Sequence, residues 1–403
     1  MKKTTQGTVT TPQGFLAGAT YVGLKGKSND ALDLGVLYSE EPCVAAGVFT
    51  TNRVKAAPVL LCQEQLKMSR SQALVVNSGC ANACTGKQGL ADAQEMVDLT
   101  ARKLGISPQN VLVSSTGVIG KTLPMEKIRR GIESITLSQE GGHSLARAII
   151  TTDHSPKEIA VKASLEPGGS EISIGGIAKG AGMIHPNMAT LLGFITTDAA
   201  VSPEFLKKAL KRATNDSFNM ITVDGDTSPN DSVIILANGH AENKVITDGT
   251  PASEVFQAAL NEVCIFLARE LVRGGEGATK LIEVTVDGAL TITEARRAAR
   301  VIAGSALVKA AVHGADPNWG RIVAAMGRSG VEMVESRIDL YLDNICMMKA
   351  GQHQPFNHGK ARSLLRKDEV PIRACLNLGN EKATAWGCDL SEEYVTINSE
   401  YTT

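Results

Sequence analysis

The run Ala178-Lys179-Gly180-Ala181-Gly182-Met183-Ile184-His185-Pro186-Asn187-Met188-Ala189-Thr190-Leu191-Leu192-Gly193-Phe194-Ile195 fits no single regular element. Its glycines disfavour a helix interior, and Pro186 has no place in a central strand. From Thr190 the chain turns apolar and β-prone, then reaches Thr196-Thr197-Asp198-Ala199. The segment therefore predicts a glycine-rich loop feeding a buried strand whose first residue is Thr190. A chain of 403 residues with 39 glycines can bury a large core and still build its site from turns.

The surrounding sequence alternates strand and helix patterns without a repeat. Residues 34–39 and 45–50 read as two short strands, 73–77 as a buried strand ending in the turn 78–82, and 111–113 as another. Ala93, Met96, Val97, Ala101 and Leu104 recur with helical spacing, which predicts a helix over 90–105. Ser202 as a cap with Pro203 at the first helical position predicts a helix over 202–214. Val255, Phe256, Ala259, Leu260, Val263 and Leu267 place another over 253–272. Ile282, Val284 and Val286 alternate, as do Ile338, Leu340 and Leu342, giving half-buried strands. Gly274-Gly275-Glu276-Gly277 precedes the first of these, so a lobe boundary falls near 280. Residues 350–362 are polar and read as a surface loop. The pattern is that of an α/β protein.

Composition excludes several functions. The formal net charge is -1, with no basic run and no aromatic–basic interleaving, so no nucleic-acid partner is expected. No signal peptide and no apolar run of about 20 residues is present, so no membrane span is expected and the cytoplasm is the default compartment. The eight cysteines are scattered, lack the paired spacing of a zinc site, and are expected to be reduced. Gly117-Val118-Ile119-Gly120-Lys121-Thr122 imitates the end of a P-loop, but Ser115 stands where that motif needs its first glycine.

Thr190 invites a different chemistry. A hydroxyl is a weak nucleophile and needs a base. A threonine at a new chain start carries one, because an α-amine titrates near ~7.7–8.0. Attack of the Thr190 hydroxyl on the preceding carbonyl, followed by hydrolysis of the ester, would cut Ala189–Thr190 and create that terminus. His185 is a second candidate base, although such a cut leaves it on the other chain.

The run from Lys179 to Ala199 resembles the signature of the ornithine acetyltransferase, or glutamate N-acetyltransferase, family. Asn77–Gly86, Ser114–Gly120, Thr222–Asp231, Asp316–Arg321 and Ile397–Tyr401 resemble further motifs of that family, in the same order along nearly the whole chain. Cys80 stands where the family usually carries asparagine. The resemblance implies an N-terminal-nucleophile-type αββα sandwich with a smaller C-terminal α/β lobe at roughly 281–380. It implies autocatalytic cleavage into an α fragment, 1–189, and a β fragment, 190–403, assembled as two of each.

The implied activity is transfer of acetyl from N-acetylornithine to glutamate through an acetyl-threonine, in arginine biosynthesis. No cofactor is expected; acetyl-CoA is a further donor in those members that make acetylglutamate afresh. Thr190 is the implied nucleophile, and Thr116 with Gly117 the implied oxyanion hole. Such donors contribute ~2.7–4 kcal/mol each to acyl transfer. The substrate has a carboxylate and a side-chain ammonium, so it calls for a cation and an anion. The resemblance supplies Lys179 and Glu276, with Thr152, Asn398 and the terminal Thr403 as further contacts. The rival reading keeps the nucleophile and makes water the acceptor, as in self-processing aminopeptidases and amidohydrolases.

Overall fold

The computed structural model describes residues 1–25, 31–166, 169–185 and 191–400. Among these residues the chain forms a nine-stranded sheet, a seven-stranded sheet and eleven α-helices. Helices pack on both sheets, the layered α/β class expected.

In the larger sheet the strand order is Lys2–Lys3, Lys157–Ser164, Glu171–Lys179, Leu192–Thr197, Ser232–Ala237, Leu34–Phe49, Arg70–Cys80 and Val111–Val118, with Phe15–Thr20 also paired to Leu34–Phe49. Leu192–Thr197 and Ser232–Ala237 run parallel and lie in the middle, flanked on either side by strands from the first half of the chain. Both are buried along their whole length, which explains why they read as unbroken apolar runs.

Their side chains alternate between two cores, as the pleat requires. Phe194, Ile234 and Leu236 join Met96, Ile128 and Leu145 on one face. Ile195, Val233 and Ile235 join Phe205, Phe256 and Leu267 on the other. Helices Gly86–Leu104, Met125–Ser134 and Gly142–Ile149 serve the first core, and Pro203–Asp216 and Pro251–Arg273 the second.

Local signals set the helix ends. The Ser202 side chain accepts from Phe205 N–H with Pro203 behind it, as its sequence predicts. Thr250 and Ser253 cap each other reciprocally at the start of Pro251–Arg273, and Gly274 closes its end. Gly105, at φ 68°, terminates Gly86–Leu104, a left-handed position that favours glycine.

The second sheet runs Gln352–His353, Ile345–Lys349, Asp339–Leu342, Glu369–Cys375, Leu281–Ala289, Glu381–Cys388 and Ile221–Thr222. Ile282, Val284 and Val286 face its core with Ile302 and Leu340. On the opposite face Trp386 Nε1 donates to Glu283 at 2.9 Å and Thr285 meets Thr384 at 2.9 Å. Ile221–Thr222, at the edge, leads directly into residues 223–231 at the site.

Two expectations are corrected. Residues 34–49 form one strand, not two, because a register shift between Tyr38 and Cys43 accommodates the polar stretch between them. Residues 350–362 are not a loop throughout. Gln352–His353 closes a hairpin, and His358–Leu365 is a helix capped by Asn357, whose side chain accepts from Lys360 N–H at 2.9 Å. Ala361, Leu364 and Leu365 bury that helix, a face too short to stand out in sequence. The eight cysteines form no disulfide, and six are buried. No helix among the described residues is long and apolar enough to cross a membrane.

The larger sheet and helix Pro251–Arg273 meet with no room between them at Gly176. A Cβ there would lie 2.8 Å from Val263 Cγ1 and 3.0 Å from Leu267 Cδ1. Gly176→Ala is expected to cost about 1–3 kcal/mol by overpacking, read as a lowered urea midpoint. An unchanged midpoint would mean that this contact is loose.

Candidate functional site

Two parallel strands, Arg70–Cys80 and Val111–Val118, end side by side with their pairing disturbed at Gly79 and Cys80. At this point Gly117 takes φ 128°, and a Cβ on it would lie 2.4 Å from the Gly79 carbonyl carbon. No other residue fits there without moving the neighbouring backbone. The strand ends are held from behind. Ser115 Oγ donates to Asn77 Oδ1 at 2.6 Å, and Asn77 Nδ2 to Cys80 O at 2.9 Å. Asn230 Nδ2 reaches Ala81 O at 2.6 Å and Ser115 O at 2.8 Å. The Ser115 hydroxyl that spoils the P-loop pattern thus belongs to this brace.

Lys179 closes strand Glu171–Lys179 and is paired with Leu192. Only 8% of it is exposed. Its Nζ donates to Thr116 Oγ1 at 3.3 Å. An ammonium has donors only, so the Thr116 oxygen accepts and its own hydrogen is left to point elsewhere. Burial pushes the Lys179 pKa down, opposed chiefly by Asp153.

Asp153 is the buried counter-charge. It pairs with buried Lys157 and accepts Gly180 N–H at 2.8 Å. Burial by itself would raise its carboxyl, but Lys157, Lys179 and these hydrogen bonds outweigh burial and hold it at about 2.

An anion faces this cationic end. Glu276 follows the glycines that end helix Pro251–Arg273, and its N–H bonds Ala181 O at 2.9 Å. It is 7% exposed. Asn398 Nδ2, on helix Glu392–Glu400, donates to Glu276 Oε2 at 2.9 Å. Gly182 makes room for the carboxylate, since a Cβ there would lie 2.4 Å from Glu276 Oε2.

These groups line one cleft of about 760 Å³. Thr116, Gly117, Thr152, Lys179, Glu276 and Asn398 all face it, although they come from five separate stretches of chain. Thr151 also lines it and anchors its N–H on Asp153 Oδ2 at 3.2 Å. Ala189, Thr190 and Thr403 lie outside the described residues. Leu191 and Leu192, which follow Thr190, line the same cleft.

Sequence reasoning missed Lys25, Arg147 and Asp231, which also line it. Lys25 Nζ donates to Leu32 O at 2.7 Å, and burial lowers its pKa to about 8, against the pull of Asp33. A lysine set among glycines was the available signal for it. Asp231 closes the stretch Thr222–Asp231, which was singled out as a motif without a role.

His185 does not line this cleft. Arg300 Nη2 donates to its Nε2 at 3.0 Å, so the ring is neutral and its Nδ1–H faces Thr222 Oγ1 at 3.0 Å. Burial, then Arg300, lowers its pKa to about 4. It is a poor base on both position and basicity. Among the described residues, no cluster of three His, Cys, Asp or Glu side chains could hold a metal ion.

Comparison with known proteins gives a consistent result. The sequence model of the ArgJ family matches residues 16–403. The arginine biosynthesis bifunctional protein ArgJ of Dehalococcoides mccartyi is 57% identical over 397 residues, covering 98% of both chains. The protein of the same name from Symbiobacterium thermophilum is 53% identical over 399 residues, covering 98% of this chain and 99% of its own. The crystal structure of arginine biosynthesis bifunctional protein ArgJ from Bacillus halodurans superposes with a TM-score of 0.50 at 46% identity. It covers 51% of this chain and 97% of the crystallised one, so that chain is about half as long.

The Asp153–Lys157 pair supports Gly180 and Lys179, and its removal has a predictable cost. Asp153→Asn leaves Lys157 buried without its counter-charge, at about 3–5 kcal/mol. Adding Lys157→Met should recover most of it. Because the folded Asp153 pKa is depressed, its contribution is full above the unfolded value of about 3.9 and is lost as pH falls through about 2. Urea titrations between pH 5 and 2 should show this loss in the wild type and not in Asp153→Asn. Parallel curves would contradict it.

Proposed function

The chain belongs to the ArgJ family, and on that premise we propose that it cuts itself at Ala189–Thr190 and moves acetyl from N-acetylornithine to glutamate on Thr190. It is an enzyme of arginine biosynthesis. The observation that carries the finer reading is a single cleft in which Lys179 and Glu276, both almost fully buried, stand with Thr116 and Gly117 beside the strand that follows Thr190.

In the proposed cleavage, Thr190 Oγ attacks the Ala189 carbonyl and the peptide N–C bond breaks. The resulting ester is opened by water, which leaves a carboxylate on Ala189 and a free amine on Thr190. Two observations support the cut. The Bacillus halodurans chain is about half as long as this one. The sheet also tolerates it: Leu192–Thr197 and Ser232–Ala237 are wedged between strands of the first half, so both fragments stay hydrogen-bonded after scission.

In the transfer, the Lys179 ammonium meets the substrate carboxylate and Glu276 its side-chain ammonium. Thr190 Oγ adds to the acetyl carbonyl, and its proton passes to the Thr190 amine. The oxyanion is met by the Thr116 hydroxyl and the Gly117 N–H. Lys179 favours this by occupying a Thr116 oxygen lone pair, which leaves the hydrogen to point at the developing charge. The C–N bond then breaks, ornithine leaves with a proton from the Thr190 ammonium, and acetyl remains as an ester on Thr190. The neutral amine of glutamate attacks that ester, N-acetylglutamate leaves, and the hydroxyl is restored. Amide is exchanged for amide, so no other energy source is needed. Thr152, Asn398 and Thr403 are assigned to substrate contact, with two α and two β fragments as the assembly.

The test is intact-mass measurement of the purified protein beside Thr190→Ala, with transfer of labelled acetyl from N-acetylornithine to glutamate. Fragments 1–189 and 190–403 are expected for the wild type and one uncut chain for the variant, with transfer reduced by about 10³-fold or more. A fully active, uncut wild type would refute the proposal.

A further inference from the structure

A second cavity, of about 560 Å³, lies on the far side of the segment 183–185 from the acyl-transfer cleft: Met183 and Ile184 line the cleft, and His185 lines this cavity. Its wall carries four arginines. Arg296, Arg297 and Arg300 project from helix Ile292–Ala303, and Arg328 from the end of helix Trp319–Gly327. Among the described residues no aspartate or glutamate lines it.

Most of this charge is unmatched. Arg296 has Asp216 at 2.5 Å, but among the described residues no carboxylate forms an ion pair with Arg297, Arg300 or Arg328. Arg300 is half-buried, its Nε is buried without a hydrogen-bond partner, and among the described residues its guanidinium contacts the neutral ring of His185. Burial alone pushes its pKa down, with no acid to oppose it. Arg297 lies against Gly330, where a Cβ would come within 2.9 Å of its guanidinium. The half-buried Arg300, with its Nε unsatisfied, has a donor that an anion in the cavity could take up, and the exposed Arg297 and Arg328 stand beside it to hold further negative charge. None of these arginines has a part in the proposed acetyl transfer.

We propose that this cavity binds a small molecule through a pair of linked phosphate groups. The guanidinium groups of Arg297, Arg300 and Arg328 offer more donors on one wall than a single carboxylate can take up, whereas two linked phosphates present enough oxygens for all three. The planar donor forks of arginine match phosphate oxygens. Asn215 and Thr293 supply neutral groups on the same wall, and the volume lies within the ~300–1,000 Å³ of small-molecule sites. The diphosphate has two chemical sources, free pyrophosphate or nucleotide on one side and the phosphorylated end of a coenzyme such as coenzyme A on the other.

The experiment is calorimetric titration of the intact purified protein with sodium pyrophosphate at fixed ionic strength, beside an Arg297→Gln/Arg328→Gln double variant. Both residues are exposed, so the variant should keep the wild-type melting temperature. One equivalent bound by the wild type, and at least about tenfold weaker binding by the variant, is the expected result. No saturable binding up to millimolar pyrophosphate, or equal affinity in the two proteins, overturns the proposal. Titrations with ADP and coenzyme A then separate the sources. Coenzyme A binding with the same arginine dependence assigns the coenzyme, and ADP binding alone assigns the free nucleotide.

Discussion

Antiparallel pairing of Glu171–Lys179 with Leu192–Thr197 sets Lys179 opposite Leu192, and the cleft is arranged around that register. It fixes where the loop leaves the sheet and where the chain re-enters it. The parallel pairing of Leu192 with Ser232 brings Asn230 and Asp231 to the same end. A slip of one residue would exchange Phe194 and Ile195 between the two cores, so both cores oppose it. The precision of the site is therefore a by-product of packing on both faces of a central strand pair.

The second constraint is electrostatic. Lys179 and Glu276 are both more than nine-tenths buried, where an isolated charge is costly. Each is supported by polar groups, Asp153 for Lys179 and Asn398 for Glu276. Holding such charges at fixed positions matches a zwitterionic substrate, because little reorganisation remains when it binds. The arginine cavity differs: its charge is less buried, and among the described residues only Arg296 has a carboxylate partner.

Legibility in the sequence followed the range of the interactions. Helices Pro203–Asp216 and Pro251–Arg273 were readable because a cap, a proline and an apolar stripe are local. Glu283, Thr285 and Thr384 show why strand alternation also worked: one face of that sheet is polar. The single strand 34–49 was not readable, since its register shift is set by partners elsewhere. Thr116, Gly117, Thr152, Lys179, Glu276 and Asn398 came from resemblance, and the fold gathers all six. Lys25 carried only the weak signal of a lysine among glycines, and Arg147 none, because both reach the cleft through tertiary packing. Arg296, Arg297 and Arg300 stand close together in the sequence, but their significance depends on Arg328 and on the lack, among the described residues, of an acid in the cavity wall.

The central claim is that Thr190 carries the acetyl group. The direct measurement is mass spectrometry of the mature protein mixed with N-acetylornithine and no acceptor, quenched in acid within the first turnovers. One acetyl group on the fragment beginning at Thr190, localised to that residue and removed by added glutamate, is the predicted result. Ornithine release with no acetyl on Thr190 at any quench time would contradict the account.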